Sequence, residues 1–295
     1  MRTTSIYDIA QNEADFLRMA RAMNKKVVFS DPRGGNKKAE KSALILDEHG
    51  EPRLIAIHYM SPRRYTCPHA GSCLKDKECL AFNGRFKIGS AKKAINRKTK
   101  LYRENPTAYS ELLHRDISLY SPAVVGRANG TSDIRWEQIP TLNGKSIYAR
   151  DPNRQWSEYS KWPLGSRRGC LDLENVHLTF SLSEHPQSIK RAADYLNAGY
   201  GCSLIIGAPH GMKRQGATAA YIKEQLLDIG GFGNRTFIDG DLHDHRHADP
   251  KGAIALLSPK GNAIHDTSGF VCRFDPSTLE PIDWRKWKPL WSHAA

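Results

Sequence analysis

Cys67, Cys73 and Cys79 stand in "CPHAGSCLKDKEC", a C-x5-C-x5-C array with no fourth cysteine nearby. Structural zinc takes four protein ligands, commonly in paired C-x2-C knuckles, so this array offers neither the pairing nor the count. His69 or the distant Cys170 would have to complete such a site. An iron–sulfur cluster accepts thiolates at varied loop spacings, and a [4Fe–4S] cluster held by three leaves one iron open to a substrate or cofactor. The three thiols are therefore expected to share one inorganic centre, iron–sulfur first and zinc as the alternative. Of the chain's six cysteines, Cys202 in "GCSLIIG" and Cys272 in "SGFVCRF" sit in apolar runs, where a lone cysteine acts as a small core residue.

Two further runs carry chemistry. "FIDGDLHDHRHADP" holds Asp239, Asp241, His243, Asp244, His245, His247 and Asp249, oxygen and imidazole ligands that would suit a metal-dependent hydrolase. "KKAINRKTKLYR" packs Lys92, Lys93, Arg97, Lys98, Lys100 and Arg103 into about three helical turns, with Lys93, Arg97 and Lys100 on adjoining positions of one face. That run reads either as a solvated helix face or as a phosphate-contacting one. The formal net charge of +13 favours an anionic partner, a nucleic acid or a nucleotide. Trp156, Tyr159 and Trp162 in "NRQWSEYSKWP" are expected to be exposed and able to stack on bases.

These residues need elements to hold them. A helix is expected from Ile6 to Met23, with Ile6, Ile9, Ala10, Leu17 and Ala20 as its apolar stripe. "KVVFS", "ALILD" and "LIAIHYM" read as strands, Asn105 with Pro106 as a helix start, and Gly230 as a helix stop. Beyond the cysteines, the strand candidates "AVVGRA", "SIYA", "VHLTFS", "SLIIGA", "TFIDG", "AIALL" and "GFVCR" alternate with loops and helices, which indicates parallel β/α units. The expected fold is α/β, a complete or partial (β/α) barrel over residues 66–295 with an N-terminal α+β extension over residues 1–65. The alternative is an open doubly wound sheet. In a barrel, function belongs at the C-terminal ends of the strands, where Arg127, Asn129, Thr131, Ser132, Asp133, Glu137, Glu184, His185, His210, Lys213 and Asp241 fall. The opening residues lack the apolar stretch of a signal peptide, and no segment reaches the roughly 20 apolar residues of a spanning helix. A cytoplasmic protein with no membrane partner is expected.

The stretches "RKTKLYRENPTAYSELLHRDI", "RANGTSDIRWE", "HLTFSLSE", "FIDGDLHDHRHADPKGAIALLSPKG" and "SGFVCRF" resemble the phage "gene product 88" domain family over roughly residues 60–275. The resemblance implies a bacteriophage or prophage origin, hence a host cytoplasm, and brings no activity with it. It matches Asp241, Asp244, Arg246 and Asp249 rather than the neighbouring histidines. Three cysteines in a loop after a barrel's first strand are, in addition, similar to radical S-adenosylmethionine (SAM) enzymes, although their usual spacing is C-x3-C-x2-C. That similarity implies a [4Fe–4S] cluster on Cys67, Cys73 and Cys79. It further implies SAM held by Arg127, Asn129, Gly130, Thr131, Ser132 and Asp133. Catalytic duties are expected of Asp133, Glu137, Asp241 and Arg246, with Asp241 and Arg246 as a working pair in a loop that contacts substrate or SAM. The leading expectation is an iron–sulfur, radical-SAM-like enzyme acting on an anionic substrate. The alternatives are a zinc- or cluster-stabilised nucleic-acid-binding protein and a hydrolase built on the Asp/His loop.

Overall fold

A computed structural model describes residues 6–23, 28–31, 50, 52–76, 79–283, 286, 287 and 290. The expected strand "ALILD" and the first two residues of "KVVFS" lie outside the described residues, and the rest of "KVVFS", residues 28–30, makes a single bridge from Phe29 to His58 rather than a strand. Nine strands are found among the described residues: β1 Ile55–Ile57, β2 Val125–Arg127, β3 Trp156–Ser160, β4 Val176–Ser181, β5 Gly201–Gly207, β6 Gly231–Phe232, β7 Arg235–Asp239, β8 Ile254–Leu257 and β9 Cys272–Arg273. Five helices reach ten residues or more: α1 Ile6–Met23, α2 Gly89–Glu104, α3 Pro106–Ile117, α4 Ser188–Asn197 and α5 Gln215–Ile229. The strands run β1-β2-β3-β4-β5-β8-β7-β6 across one sheet, with β9 on the far end of β5. Every pairing is parallel except the short β6–β7 hairpin. The chain is thus a mixed α/β protein with a mostly parallel sheet, in which β1 to β5 lie side by side in chain order.

Register assigns the two faces. Ala56, Gly126, Trp156, Val176, Cys202 and Ile254 fall on one face and belong, glycine apart, to the main core with Leu112 and Leu113 of α3, Leu196 of α4 and Leu226 of α5. Gly126 is where bulk is forbidden: a Cβ there would stand 2.4 Å from the Trp156 ring, so the indole lies against bare backbone. The opposite face carries Ile55, Ile57 and Val125, then the more polar Arg127, Ser157, Tyr159, His177, Thr179 and Ser181. The loop after β7 packs there, through the Arg246 N–H donating to Ser157 Oγ at 3.0 Å and the His247 ring 5.6 Å from that of His177.

Three expectations change. The α1 helix has the expected bounds, but its inward residues are Met19 and Met23, both fully buried, with Phe16 and Ala20 beside them. Ile9 and Leu17 are 46% and 52% exposed. Burying a methionine contributes roughly 1.5–3 kcal/mol, so the face with two of them wins. "SIYA" is a helical turn, Ile147–Arg150, because the Ser146 hydroxyl caps it by accepting the Ala149 N–H at 3.2 Å. "WSEYS" is the strand β3. Trp156 is consequently buried in the core and Tyr159 and Trp162 are half-buried, so this run is no row of exposed stacking aromatics. The caps of α3 and α5 stand as expected: Asn105 Oδ1 accepts the Ala108 N–H at 3.0 Å ahead of Pro106, and α5 stops at Gly230, φ 80°.

Candidate functional site

The cysteine segment leaves the C-terminal end of β1 and folds back on itself in single turns. Cys67 N–H donates to Arg63 O at 2.7 Å, and Cys79 N–H donates to Cys73 O at 3.0 Å. Cys73 lies in the turn Ser72–Lys75 and Cys79 caps the turn Leu80–Phe82, its sulfur accepting the Ala81 N–H at 3.5 Å. All three thiols are half-buried and free of disulfides. They share one environment. The neighbouring Cys79 sulfur, together with burial, holds Cys73 well above the ordinary thiol range. Cys73 and the Ala81 N–H in turn lower Cys79 against the opposing effect of burial. Burial pushes Cys67 up to about 12, with the Asp133 carboxylate and Cys73 adding to the shift. Lys161, at the end of β3, is a cation felt by all three sulfurs.

Three neighbouring loops hold this arrangement. From the end of β4, Glu184 Oε1 accepts the Ser72 N–H at 2.6 Å. Gly71 makes that approach possible: its φ is +53°, and a Cβ would stand 1.9 Å from Glu184 Oε1. Glu184 Oε2 is buried with no hydrogen-bond partner. From β3, Lys161 Nζ donates to Ser181 Oγ at 2.7 Å and Ser181 O at 3.2 Å. From β2 comes "RANGTSD", which touches the thiols through Thr131 O, 3.7 Å from Cys67 Sγ.

Much of that β2 loop is committed to its own shape. Asn129 Oδ1 accepts from the Ser132 hydroxyl and the Ile134 N–H, both at 2.9 Å, while its Nδ2 donates to Ile134 O at 3.0 Å. Gly130 N–H donates to His58 O at 2.8 Å, and a Cβ on it would come within 2.6 Å of that oxygen. Thr131 Oγ1 donates to Met60 O at 2.6 Å. Asp133, raised by burial and drawn back by the Arg167 cation, accepts from Ser160 Oγ at 2.9 Å and the Lys161 N–H at 2.8 Å. It therefore sets where Lys161 begins. Glu137 is clamped by Arg167 at 2.6 and 3.1 Å. Arg127 pairs with Asp244 at 3.2 Å and lies 4.4 Å over the Tyr159 ring.

The other expected residues lie apart. Asp241 accepts from Lys223 and Lys260, both at 2.9 Å, and from the Ser258 N–H at 2.7 Å. Burial would raise its carboxyl, but these donors overcome it and hold it well below the usual range. Arg246 pairs with Asp249 at 3.1 Å and donates to His243 O at 2.6 Å, so Asp241 and Arg246 do not form a pair with each other. On α2, Lys93 and Lys100 are exposed and Arg97 half-buried. Lys98 turns inward to donate to Val28 O, and burial pulls it down to about 8. His69 packs edge-on against Trp162 at 4.5 Å, and Cys170 receives Arg167 at 3.3 Å.

Lys161 and Glu158 had no place in the sequence reading. Glu158 is fully buried and raised to about 7 by burial, against the Ala128 N–H that it accepts at 2.6 Å; it also accepts the Asn129 N–H at 3.0 Å, and so pins the β2 loop. Lys161 follows a strand that has no apolar run, Trp156–Ser160, so residue pattern offered no signal for it. Among the described residues, no set of three or more His, Cys, Asp or Glu is already arranged around one point as metal ligands are. The donor chemistry nonetheless fits: three soft sulfurs, an N–H and a cation to offset thiolate charge, and a buried carboxylate oxygen still lacking a partner beside them. Nor, among those residues, is any helix long and apolar enough to cross a membrane.

Compared with known proteins, the chain matches one family model, described as Gene product 88, over residues 24–273. A search of curated proteins and a search of solved structures each returned no match.

Proposed function

The chain belongs to the gene product 88 family, and from that premise, which names no reaction, we propose that Cys67, Cys73 and Cys79 hold an iron–sulfur centre in a radical-SAM-like enzyme. The observation that carries this reading is the mutual influence of three half-buried thiols, with Lys161 in electrostatic reach of each, in the loop that follows β1 of a parallel sheet. The order of β1 to β5, with the cysteine loop after β1, supports reading the sheet as a partial barrel. When bound, such a centre supplies an electron to a sulfonium compound of the SAM type at its open iron. The protein's own contribution is charge and position. Lys161 offsets part of the thiolate charge, the Ala81 N–H holds the Cys79 sulfur, and Asp133 fixes the backbone from which Lys161 projects. Thr131 and Gly130 hold the β2 loop to the chain just after β1, and Asn129 ties the loop to itself, so that Arg127 and Asp133 flank a stable wall. Asp241 and Arg246, tied into their own ion pairs, shape the loop after β7.

Replacing any one of the three cysteines by alanine removes the brown colour and the broad absorption near ~400 nm of thiolate-bound iron–sulfur centres. Colourless wild-type protein, or unchanged metal in all three variants, overturns the reading. A zinc-stabilised nucleic-acid-binding protein is the second reading, favoured by the exposed Lys93 and Lys100 of α2 with Arg97 alongside. Under it, reversing those three charges lowers the salt dependence of nucleic-acid binding by about one unit of slope per lost contact.

A further inference from the structure

Beside the thiols, loops after four successive strands bring three basic side chains and an indole to one place. Arg135, after β2, lies 4.2 Å over the Trp162 ring. Trp162, after β3, is itself fixed: its Nε1 donates to Asp133 O at 2.9 Å, and its carbonyl accepts from Tyr195 Oη at 3.1 Å. Arg191, on α4 after β4, donates through Nη1 to Lys161 O at 3.2 Å and through Nη2 to Gln187 Oε1 at 2.9 Å. His69, from the cysteine loop after β1, meets the same indole and is within electrostatic reach of Arg135, Arg191 and His185.

The chemistry of this group is lopsided. Arg135 is held by an aromatic face and Arg191 by two neutral oxygens, so neither guanidinium has a carboxylate partner among the described residues. Glu184, after β4, commits one of its oxygens to the Ser72 N–H at 2.6 Å. Guanidinium groups present paired N–H donors in a plane, the geometry that phosphate oxygens accept, and an indole behind one of them fixes that plane.

We propose that Arg135, Arg191 and His69, braced by Trp162, bind the phosphate group of a small phosphorylated substrate and hold it beside the cysteine centre. The proposal names the substrate class for the site described above, and rests on that reading only in treating the bound molecule as substrate. It also separates this rim from α2, whose lysines are exposed on another element.

The test is calorimetric titration of anaerobically purified protein, at low ionic strength, with inorganic diphosphate and separately with adenosine diphosphate. Both should bind. Equal affinity assigns recognition to the phosphates alone, and tighter adenosine diphosphate adds a contact to the nucleoside. Arg135→Gln and Arg191→Gln should each weaken binding about tenfold or more, since each removes a charge-assisted hydrogen bond. Arg191→Lys should retain part of the affinity, and Lys93→Gln with Lys100→Gln should leave it unchanged. No binding of either probe to the wild type overturns the proposal. So does binding that survives both arginine variants or is lost with the α2 lysines. Iron measured in the same samples separates the two claims: iron present without diphosphate binding sinks this inference alone, and diphosphate binding without iron sinks only the proposed centre.

Discussion

In the loop after β7, acids meet cations supplied by the protein itself: Asp241 meets Lys223 and Lys260, Asp244 meets Arg127, and Asp249 meets Arg246. Around the cysteine loop, three ionisable thiols meet one another and share a single lysine. The first region is far denser in metal-ligating residue types, yet its charges are largely answered internally, and its ion pairs latch the loop onto the sheet. The second gathers like groups that resist ionising together, an arrangement that an added cation relieves. Density of reactive residues along a chain is thus a poorer guide to a site than the balance of charge once the chain is folded.

The comparison is tested most strongly by damaging each side separately. Asp244→Ala leaves Arg127 buried without its carboxylate and should lower stability by about 3–5 kcal/mol in denaturant unfolding, while iron per folded chain stays at the wild-type value. Iron lost in proportion would make the β7 loop part of the centre. Gly71→Ala forces a Cβ into Glu184 and should cost about 2 kcal/mol; here, in contrast, iron should fall well below the wild-type ratio.

A pH titration sharpens the contrast at the end of β1. His58 is buried, bonded to Ala128 O and Tyr109 Oη at 2.9 Å each, and burial pulls it down to about 3, with Lys98 adding to the shift. Because its folded value lies below the unfolded 6.5, its contribution to stability is present above pH 6.5 and is lost as pH falls towards 3. The slope from this group is at most about 1.4 kcal/mol per pH unit, and His58→Gln should flatten it. Unchanged slope in the variant would deny His58 that role. Smaller still, Lys161→Gln should move the pH profile for alkylation of the metal-free thiols upward, since the cation that favours thiolate is gone; an unmoved profile would detach Lys161 from the site.

The sequence carried the α/β class, the bounds of α1, the cap at Asn105 and the position of the cysteine loop after a strand, because each rests on local pattern or chain order. It misjudged what depends on tertiary partners. "WSEYS" lacks an apolar run, yet forms β3, because Gly126 makes room for Trp156 and backbone N–H groups of the β2 loop satisfy the buried Glu158. The α1 stripe was misplaced because the two methionines, not Ile9 and Leu17, found the core. At the site, the number and order of cysteines were legible. Lys161 and the unpartnered Glu184 oxygen were not, since both acquire meaning only when four strand ends meet. The residues of "NGTSD" were visible as a group, but their bonds to one another and to β1 could not be read from residue type.

The central claim is one inorganic centre on Cys67, Cys73 and Cys79, and iron, sulfide and zinc assayed together on anaerobically purified protein test it directly. The account predicts iron and acid-labile sulfide in equal amounts, about four of each per chain, and loss of both in Cys67→Ala, Cys73→Ala and Cys79→Ala. One zinc per chain with no sulfide, or metal that survives all three substitutions, would contradict it.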